Sequence, residues 1–287
     1  MIKKKILETG TSGFIGKIFL KDALEKGYHV VDVLRFKNKK NKDLNLLRKN
    51  FSDSYKSIFY KNNKEIKKKL HNLKIDYFIN FATLYKNDHN HIEIPKFIDS
   101  NIIFPATILD LIYMNVKKII NFGTMMQHTN GKDYIPKNFY ASTKSALEMI
   151  INFYAFKNKN LRFYNIKFYE SFSENDKRKK LMPTLIKNYK NNTKTHINSK
   201  RLELNIIHAN DIIKSVYIIL KNNFKSGSYC LKQNKNVKIS KLITKLNKKL
   251  NKKLKVKYIN NKFDKITKSK IKTLTKCKPD RFLVKKI

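Results

Sequence analysis

Short apolar runs recur along this chain, and between them apolar residues fall three or four positions apart. The runs at residues 28–34, 57–60, 75–83 and 116–123, with Ile6-Leu7 before them, predict strands. Ile15, Ile18, Phe19, Ala23 and Leu24 share one helical face, as do Ile66, Leu70 and Leu73. Helices are also expected over residues 97–114 and from Tyr140 through Leu147, Ile150 and Ile151. The lysine-rich residues 37–50 show no period and read as a loop or irregular insertion. Later, Asp211 is expected to cap a helix through Val216 and Leu220, and residues 227–231 form a short strand of a smaller lobe. Ile239, Leu242, Ile243, Leu246 and Leu250 outline an amphipathic helix. Strands alternating with helices predict an α/β fold, a doubly wound parallel sheet.

The first strand leads into Thr9-Gly10-Thr11-Ser12-Gly13-Phe14-Ile15-Gly16. Strand, glycine turn and helix in that order suit a dinucleotide pyrophosphate. Gly10 allows a tight turn, Gly13 lets the phosphates approach the backbone, and Gly16 lets the helix pack closely. The helix N-terminus then offers free N–H groups and its positive dipole end. At the end of the second strand an NAD-binding chain carries an acid for the ribose hydroxyls. Here Leu34 and Arg35 stand there, and Asp32 lies two residues too early, in a position suited to a structural contact. Arg35, with Lys37, Lys39 and Lys40, can receive a 2′-phosphate, so NADP(H) is expected ahead of NAD(H).

Thr124 follows the strand at 116–123, and Tyr140-Ala141-Ser142-Thr143-Lys144 opens the next helix. Tyr140 and Lys144 share a helix face, where an ammonium favours the phenolate. Such a tyrosine exchanges a proton with a hydroxyl or ketone, and Thr124 can hold the same oxygen.

These three motifs, in this order, resemble the extended, nucleotide-sugar-modifying branch of the short-chain dehydrogenase/reductase superfamily, whose core is a Rossmann-type domain. A narrower resemblance rests on Gly123, Thr124, Met125, Met126, Gln127 and His128, then Tyr134, Pro136, Asn138, Phe139, Tyr140, Ala141, Thr143 and Lys144. It is to reductases of nucleotide-activated 4-keto-6-deoxy sugars of the CDP-abequose and CDP-paratose synthase kind. The segment from Tyr169 to Leu181 is similar to the same group, departing at Glu170 and Ser173. The resemblance implies a dinucleotide-binding domain over residues 1–168, with 202–222 returning to it, and a nucleotide-sugar-binding lobe from 169–201 and 223–287. It implies cofactor contacts from Gly10, Thr11, Ser12, Gly13, Phe14, Ile15, Gly16, Arg35, Phe81, Ala82, Thr83, Asn101, Tyr140 and Lys144. Substrate contacts fall to Thr83, Met125, Gln127, His128, Arg178 and Lys180, and catalysis to Thr124, Tyr140 and Lys144. His208 reads as structural. A homodimer through a four-helix interface of residues 97–114 and 140–156 is also implied.

Composition changes the picture little. The formal charge is +43 over 287 residues, which suggests a nucleic-acid partner. Yet six of the 64 basic residues are arginine, there is no tryptophan, and lysine and asparagine are spread throughout. Base readout favours arginine, so specific nucleic-acid binding is not expected, although the field attracts any anionic ligand. No apolar run approaches the ~18 residues of a membrane span, and Ile6-Leu7 is too short for a signal-peptide core. Cys230 and Cys277 lie far apart without metal-type spacing, which suggests free thiols in a reducing cytoplasm and no metal.

The reaction classes separate at Thr124. Dehydratases of this family need an acidic pair directly after the threonine, and Met125 and Met126 stand there. Relatives that shuttle protons at C3 and C5 use a cysteine and a histidine, and His128 has no such cysteine. C4 reduction of a nucleotide-activated 4-keto-6-deoxyhexose, for surface polysaccharide sugar synthesis, is the expected reaction. A 4-epimerase with tightly bound NAD needs the same three residues and stays open. So does a non-enzymatic dinucleotide- or polyanion-binding protein.

Overall fold

The computed structural model describes residues 4–70, 73–173, 176–178, 180–251, 253–259 and 271. In the first half, β1 (Lys5–Thr9), α1 (Phe14–Glu25), β2 (His29–Arg35), α2 (Lys42–Asn50), β3 (Tyr55–Tyr60), α3 (Asn63–Leu70) and β4 (Tyr77–Asn80) succeed one another. Next come α4 (Ile94–Ile98), α5 (Phe104–Ile112), β5 (Lys118–Phe122), α6 (Phe139–Lys157) and β6 (Arg162–Lys167). The remainder comprises β7 (Glu170–Phe172), α7 (Leu181–Lys190), β8 (Thr195–Ile197), β9 (Glu203–Leu204), β10 (Ile206–His208), α8 (Ala209–Lys221), β11 (Gly227–Cys230), β12 (Val237–Lys238), α9 (Ile239–Leu250) and β13 (Val256–Tyr258).

Seven strands form one parallel sheet in the order β3-β2-β1-β4-β5-β6-β11. The order reverses between β1 and β4, the switch point where doubly wound sheets open a crevice at their carboxyl edge. Strand residues alternate between two cores. Ile6, Val30, Tyr77 and Ile120 pack toward α1, α2 and α8, while Leu7, Val31, Phe78 and Ile119 pack toward α3, α5 and α6. Burial on both faces accounts for the nearly unbroken apolar runs of these strands. A third core joins Met182 and Leu185 of α7 to Ile239, Leu242, Ile243 and Leu246 of α9, beside the pairs β8·β13, β9·β12 and β7·β10.

A polar seam crosses the sheet in register. Thr9 Oγ1 donates to Asn80 Oδ1 (2.6 Å), Asn80 Nδ2 to Asn121 Oδ1 (2.9 Å), and Asn121 Nδ2 to Asn165 Oδ1 (3.1 Å). Each amide supplies the next with its partner, so four adjacent strands are pinned without slip. At the amino edge, Lys118 Nζ donates to the carbonyls of Ile219, Leu220 and Asn222 at 2.9–3.0 Å. This buried ammonium closes the C-terminus of α8 against the sheet.

Four expectations change. Residues 37–50 contain α2, capped by Asn41 Oδ1 on the Leu44 N–H and held by the burial of Leu44. Residues 227–231 do not pair within the smaller lobe. β11 lies along β6 as the edge strand of the main sheet, because Gly227 to Cys230 hydrogen-bond beside Tyr164 to Lys167. The helix expected over 97–114 starts at Ile94 and is broken by a π-helical turn, Asp99–Ile103. His208, not Asp211, caps α8, its Nδ1 accepting from the Asn210 N–H. The basic stretch beyond residue 259, Ile271 apart, lies outside the described residues, as does Cys277; Cys230 is a buried free thiol. Among the described residues no helix is long and apolar enough to cross a membrane.

Candidate active site

A cleft of about 640 Å³ opens at the switch point. Its floor is the turn between β1 and α1, lined by Gly10, Ser12, Gly13, Phe14, Ile15 and Gly16. Gly10 has φ +83°, and a Cβ there would meet Ala82 N at 2.5 Å. That glycine is needed for the fold of the turn. Gly13 differs: it is the N-cap of α1, it brings no side-chain cap, and no acid occupies the first turn. By contrast α2, α6 and α8 are capped by Asn41, Asn138 and His208. The free N–H groups of α1 therefore face the cleft, which fits a pyrophosphate. Thr11 lies off the cleft. Its side chain is buried, and its Oγ1 donates to Asp32 Oδ2 (2.7 Å), which also accepts from Tyr55 Oη (2.6 Å). Asp32 is thereby held in a structural contact off the cleft.

At the far end of the cleft, Leu34, Arg35, Lys37, Asn38 and Asn41 form the wall. Arg35 Nη2 donates to Asp99 Oδ2 (2.8 Å) and Ser100 Oγ (2.5 Å), so the π turn supplies its partners. The same turn aims Asn101 inward. Asn101 Oδ1 accepts from the Leu84 N–H (2.6 Å), and its Nδ2 donates to Leu84 O (3.0 Å) and Thr143 Oγ1 (2.9 Å). Being fully buried, Asn101 does not line the cleft; it ties the loop carrying Thr83 to α6. Phe81, Ala82 and Thr83 do line it.

The catalytic candidates meet on the opposite wall. Thr124 caps a tight turn, Met125–Gln127. Its Oγ1 accepts from the Met126 N–H (3.2 Å), and its own N–H donates to Gln127 Oε1 (2.9 Å). The hydroxyl proton is left to donate. Tyr140 enters on the first turn of α6, which Asn138 Oδ1 caps at the Ala141 N–H (3.0 Å), and Lys144 follows one turn later. Burial raises the Tyr140 phenol above the ordinary value of 10, although a hydrogen bond with Thr83 works against this. Burial also pulls the Lys144 ammonium down to about 8, against the attraction of Glu148. The expected lowering of Tyr140 by Lys144 is thus not what the surroundings produce; desolvation of both groups dominates.

The substrate side differs from expectation at three residues. Met125, Gln127 and His128 are buried and do not line the cleft, because the capping turn sends them behind the wall. His128 Nε2 meets Lys167 Nζ at 2.7 Å. Met126 faces the cleft in their place. Arg178 and Lys180 do line it, both engaged with carboxylates. Arg178 Nη2 donates to Asp176 Oδ2 (2.6 Å) while its guanidinium lies over the Phe14 ring (4.3 Å), and Lys180 Nζ pairs with Glu170 Oε1 (2.8 Å). Tyr85 is unanticipated. It meets the Tyr140 ring edge-on at 4.9 Å, and an isolated aromatic in a loop carries no periodic signal. Glu174, Asn175 and Lys179 of this segment lie outside the described residues.

The seven-stranded sheet, the uncapped glycine turn and the Thr124–Tyr140–Lys144 wall define an NAD-dependent enzyme of the extended short-chain dehydrogenase/reductase type. Residues 6–231 match the family model described as the NAD dependent epimerase/dehydratase family, and the chain belongs to that family. It is 25% identical over 234 residues to a CDP-abequose synthase of Salmonella muenchen, spanning 79% of this chain and 74% of that protein. Among solved structures, a UDP-N-acetylglucosamine 4-epimerase from Methanobrevibacter ruminantium superposes with TM-score 0.82 at 20% identity, covering 100% of this chain and 96% of that one. A dTDP-glucose 4,6-dehydratase from Bacillus anthracis, in complex with NAD, gives 0.78 at 17% identity, with 96% and 92% covered. The structural likenesses concern the fold.

Proposed function

We propose that this chain reduces a nucleotide-diphosphate-activated 4-keto-6-deoxyhexose at C4, a step in making sugars for surface polysaccharide. The observation that carries this reading is the chemistry of the cleft wall. Thr124, Tyr140 and Lys144 line it, and among the described lining residues there is no carboxylate. Dehydration then has no acidic residue to take a proton from carbon, and C3/C5 epimerisation has neither its cysteine nor its histidine, since no described lining residue is either. Protonating a carbonyl oxygen needs only an acid. The likeness to CDP-abequose synthase supports the same class.

A reduced dinucleotide held against the Gly10–Gly16 turn would supply the hydride. The residues of this chain position the carbonyl and provide its proton. Tyr140, its phenol raised by burial, is protonated at neutral pH and begins as a proton donor. Thr124 Oγ1, already accepting from Met126, has its proton free for the same substrate oxygen. The Lys144 ammonium stabilises the phenolate left behind until a proton returns.

On the cofactor side we infer NADP(H) ahead of NAD(H). Arg35 and Lys37 line the far end, no carboxylate ends β2, and Asp32 is engaged by Thr11 and Tyr55. Arg178 and Lys180 favour a diphosphate on the substrate side, with the lobe around α7 and α9 covering the sugar nucleotide. A homodimer in the cytoplasm belongs to the reading, and the exposed Met149, Phe153 and Phe156 on α6 favour a helical interface.

The test is to mix the protein with NADPH and CDP- or dTDP-4-keto-6-deoxyhexose, following NADPH absorbance and the sugar product. Stoichiometric NADPH loss with a C4 alcohol is expected. C4 epimers formed from a 4-hydroxy nucleotide sugar without net NADPH loss would establish the epimerase instead.

A further inference from the structure

Behind the catalytic face of α6 lies a buried ionic cluster that the mechanism above does not use. Glu148 stands one turn beyond Lys144 and two beyond Tyr140 on the same face of the helix. It is 2% exposed. Its Oε1 accepts from Tyr134 Oη (2.7 Å) and from Ser228 Oγ of β11. Its Oε2 accepts from Gln127 Nε2 (2.9 Å) and pairs with Lys167 Nζ of β6 (2.9 Å), whose side chain is wholly buried. His128 Nε2 and the Cys230 thiol also face Lys167, and burial together with Lys167 depresses the imidazole, so His128 enters the cluster as a neutral acceptor. Buried charges persist when each is paired and every polar atom is engaged, and here the carboxylate has four donors.

The cluster reaches the active site by two routes. One is through Gln127, whose Oε1 accepts the Thr124 N–H while its Nε2 holds Glu148, so a single amide spans from threonine backbone to carboxylate. The fit is tight, since a Cβ on Gly123 would lie 2.5 Å from Gln127 Oε1. The other is along α6, where the negative charge of Glu148 faces the Lys144 ammonium one turn away.

We propose that Glu148 is a positioning residue for the reduction: through Gln127 it fixes the Thr124 backbone, and one helical turn from Lys144 it supplies the counter-charge that keeps the ammonium charged beside Tyr140. This rests on the function proposed above. Removing the carboxylate makes Lys144 easier to deprotonate.

The experiment titrates Lys144 directly in the cofactor-free protein, by trace acetylation across pH and peptide mass spectrometry. Glu148→Gln is expected to lower the Lys144 midpoint by about one pH unit. The alkaline limb of kcat/KM should move the same way. Gln127→Leu cuts the amide bridge without changing a charge, so kcat should fall about tenfold with the Lys144 midpoint unmoved. It also keeps the test open if Glu148→Gln does not fold. An unmoved midpoint in Glu148→Gln, or full kcat in Gln127→Leu, would overturn the proposal. If the midpoint moves as expected but no keto sugar is reduced, the proposed function fails while the electrostatic role of Glu148 stands.

Discussion

The two ends of the cleft use cations in opposite ways. At the far end Arg35 is 39% exposed and faces a still more open partner, Asp99, at 50%. Water and salt screen that charge, so it contributes attraction and selectivity of modest size. At the catalytic end Lys144 is 2% exposed, and burial has already drawn its ammonium down to about 8. There the charge is sensitive to every neighbour, and small changes in Glu148 or solvent access alter its protonation. The formal charge of +43 therefore says little about catalysis. What matters is which lysines the fold removes from water.

The strongest break of this contrast is Tyr140→Phe. It keeps the ring against Tyr85 and removes only the proton donor, so kcat should drop ~10²–10⁴-fold with dinucleotide affinity unchanged. Full activity in this variant would remove the catalytic end from the comparison altogether.

Gly13→Val tests the floor that joins the two ends. The new side chain would point into the phosphate approach and crowd Gly10 O, which lies 3.0 Å from a Cβ at that position. Dinucleotide binding should be lost or strongly weakened, because the branched side chain blocks the phosphate approach, while the crowding of Gly10 O lowers the thermal midpoint only modestly. Gly10→Val is the control. It collides with the backbone of Phe81 and Ala82, so it should lower the melting temperature instead. Normal cofactor affinity in a folded Gly13→Val protein would place the pyrophosphate elsewhere.

The pH profile sharpens the comparison without any mutation. Lys144 acts in its charged form, which is present below its pKa and lost above it. kcat/KM should hold steady from neutral pH and fall once pH passes about 8, by roughly tenfold per unit. Cofactor binding at the Arg35 end should follow salt instead. A flat profile to pH 10 would mean that Lys144 is not required charged.

The smallest effect expected is Arg35→Ala. Because Arg35 is partly exposed and already paired with Asp99 and Ser100, NADP affinity should fall by only about 0.5–1.5 kcal/mol, and NAD affinity should hold. Raising the salt concentration should shrink the difference. Equal loss of both cofactors would point to a structural role for Arg35 in holding the π turn.

Some of these features are legible residue by residue, and others are not. Gly10, Gly13 and Gly16 announce their turn because the strand, the turn and the helix are contiguous. Tyr140 and Lys144 are legible because helical geometry alone puts them on one face. α2 was hidden by its lysines, since its anchorage is a single buried leucine, Leu44, and an asparagine cap, Asn41. Gln127 and His128 are adjacent to Thr124 in sequence, yet the capping turn faces them away from the cleft. Glu148 stood four residues from Lys144 in plain view, but nothing local says that Lys167, Tyr134 and Ser228 surround it.

By itself the sequence determined the local geometry: the alternation of strands and helices, the uncapped glycine turn, and the shared face of Tyr140 and Lys144. Each depends on backbone preferences and periodicities that operate over a few residues. Only the tertiary structure decided that β11 joins β6, that Arg35 answers to Asp99, and that Glu148, Lys167 and Gln127 close behind the active site. Those pairings bring together residues far apart in the chain. Their strength comes from burial, which no short stretch of sequence specifies, and burial is what converts ordinary lysines and carboxylates into groups with shifted charge and fixed position.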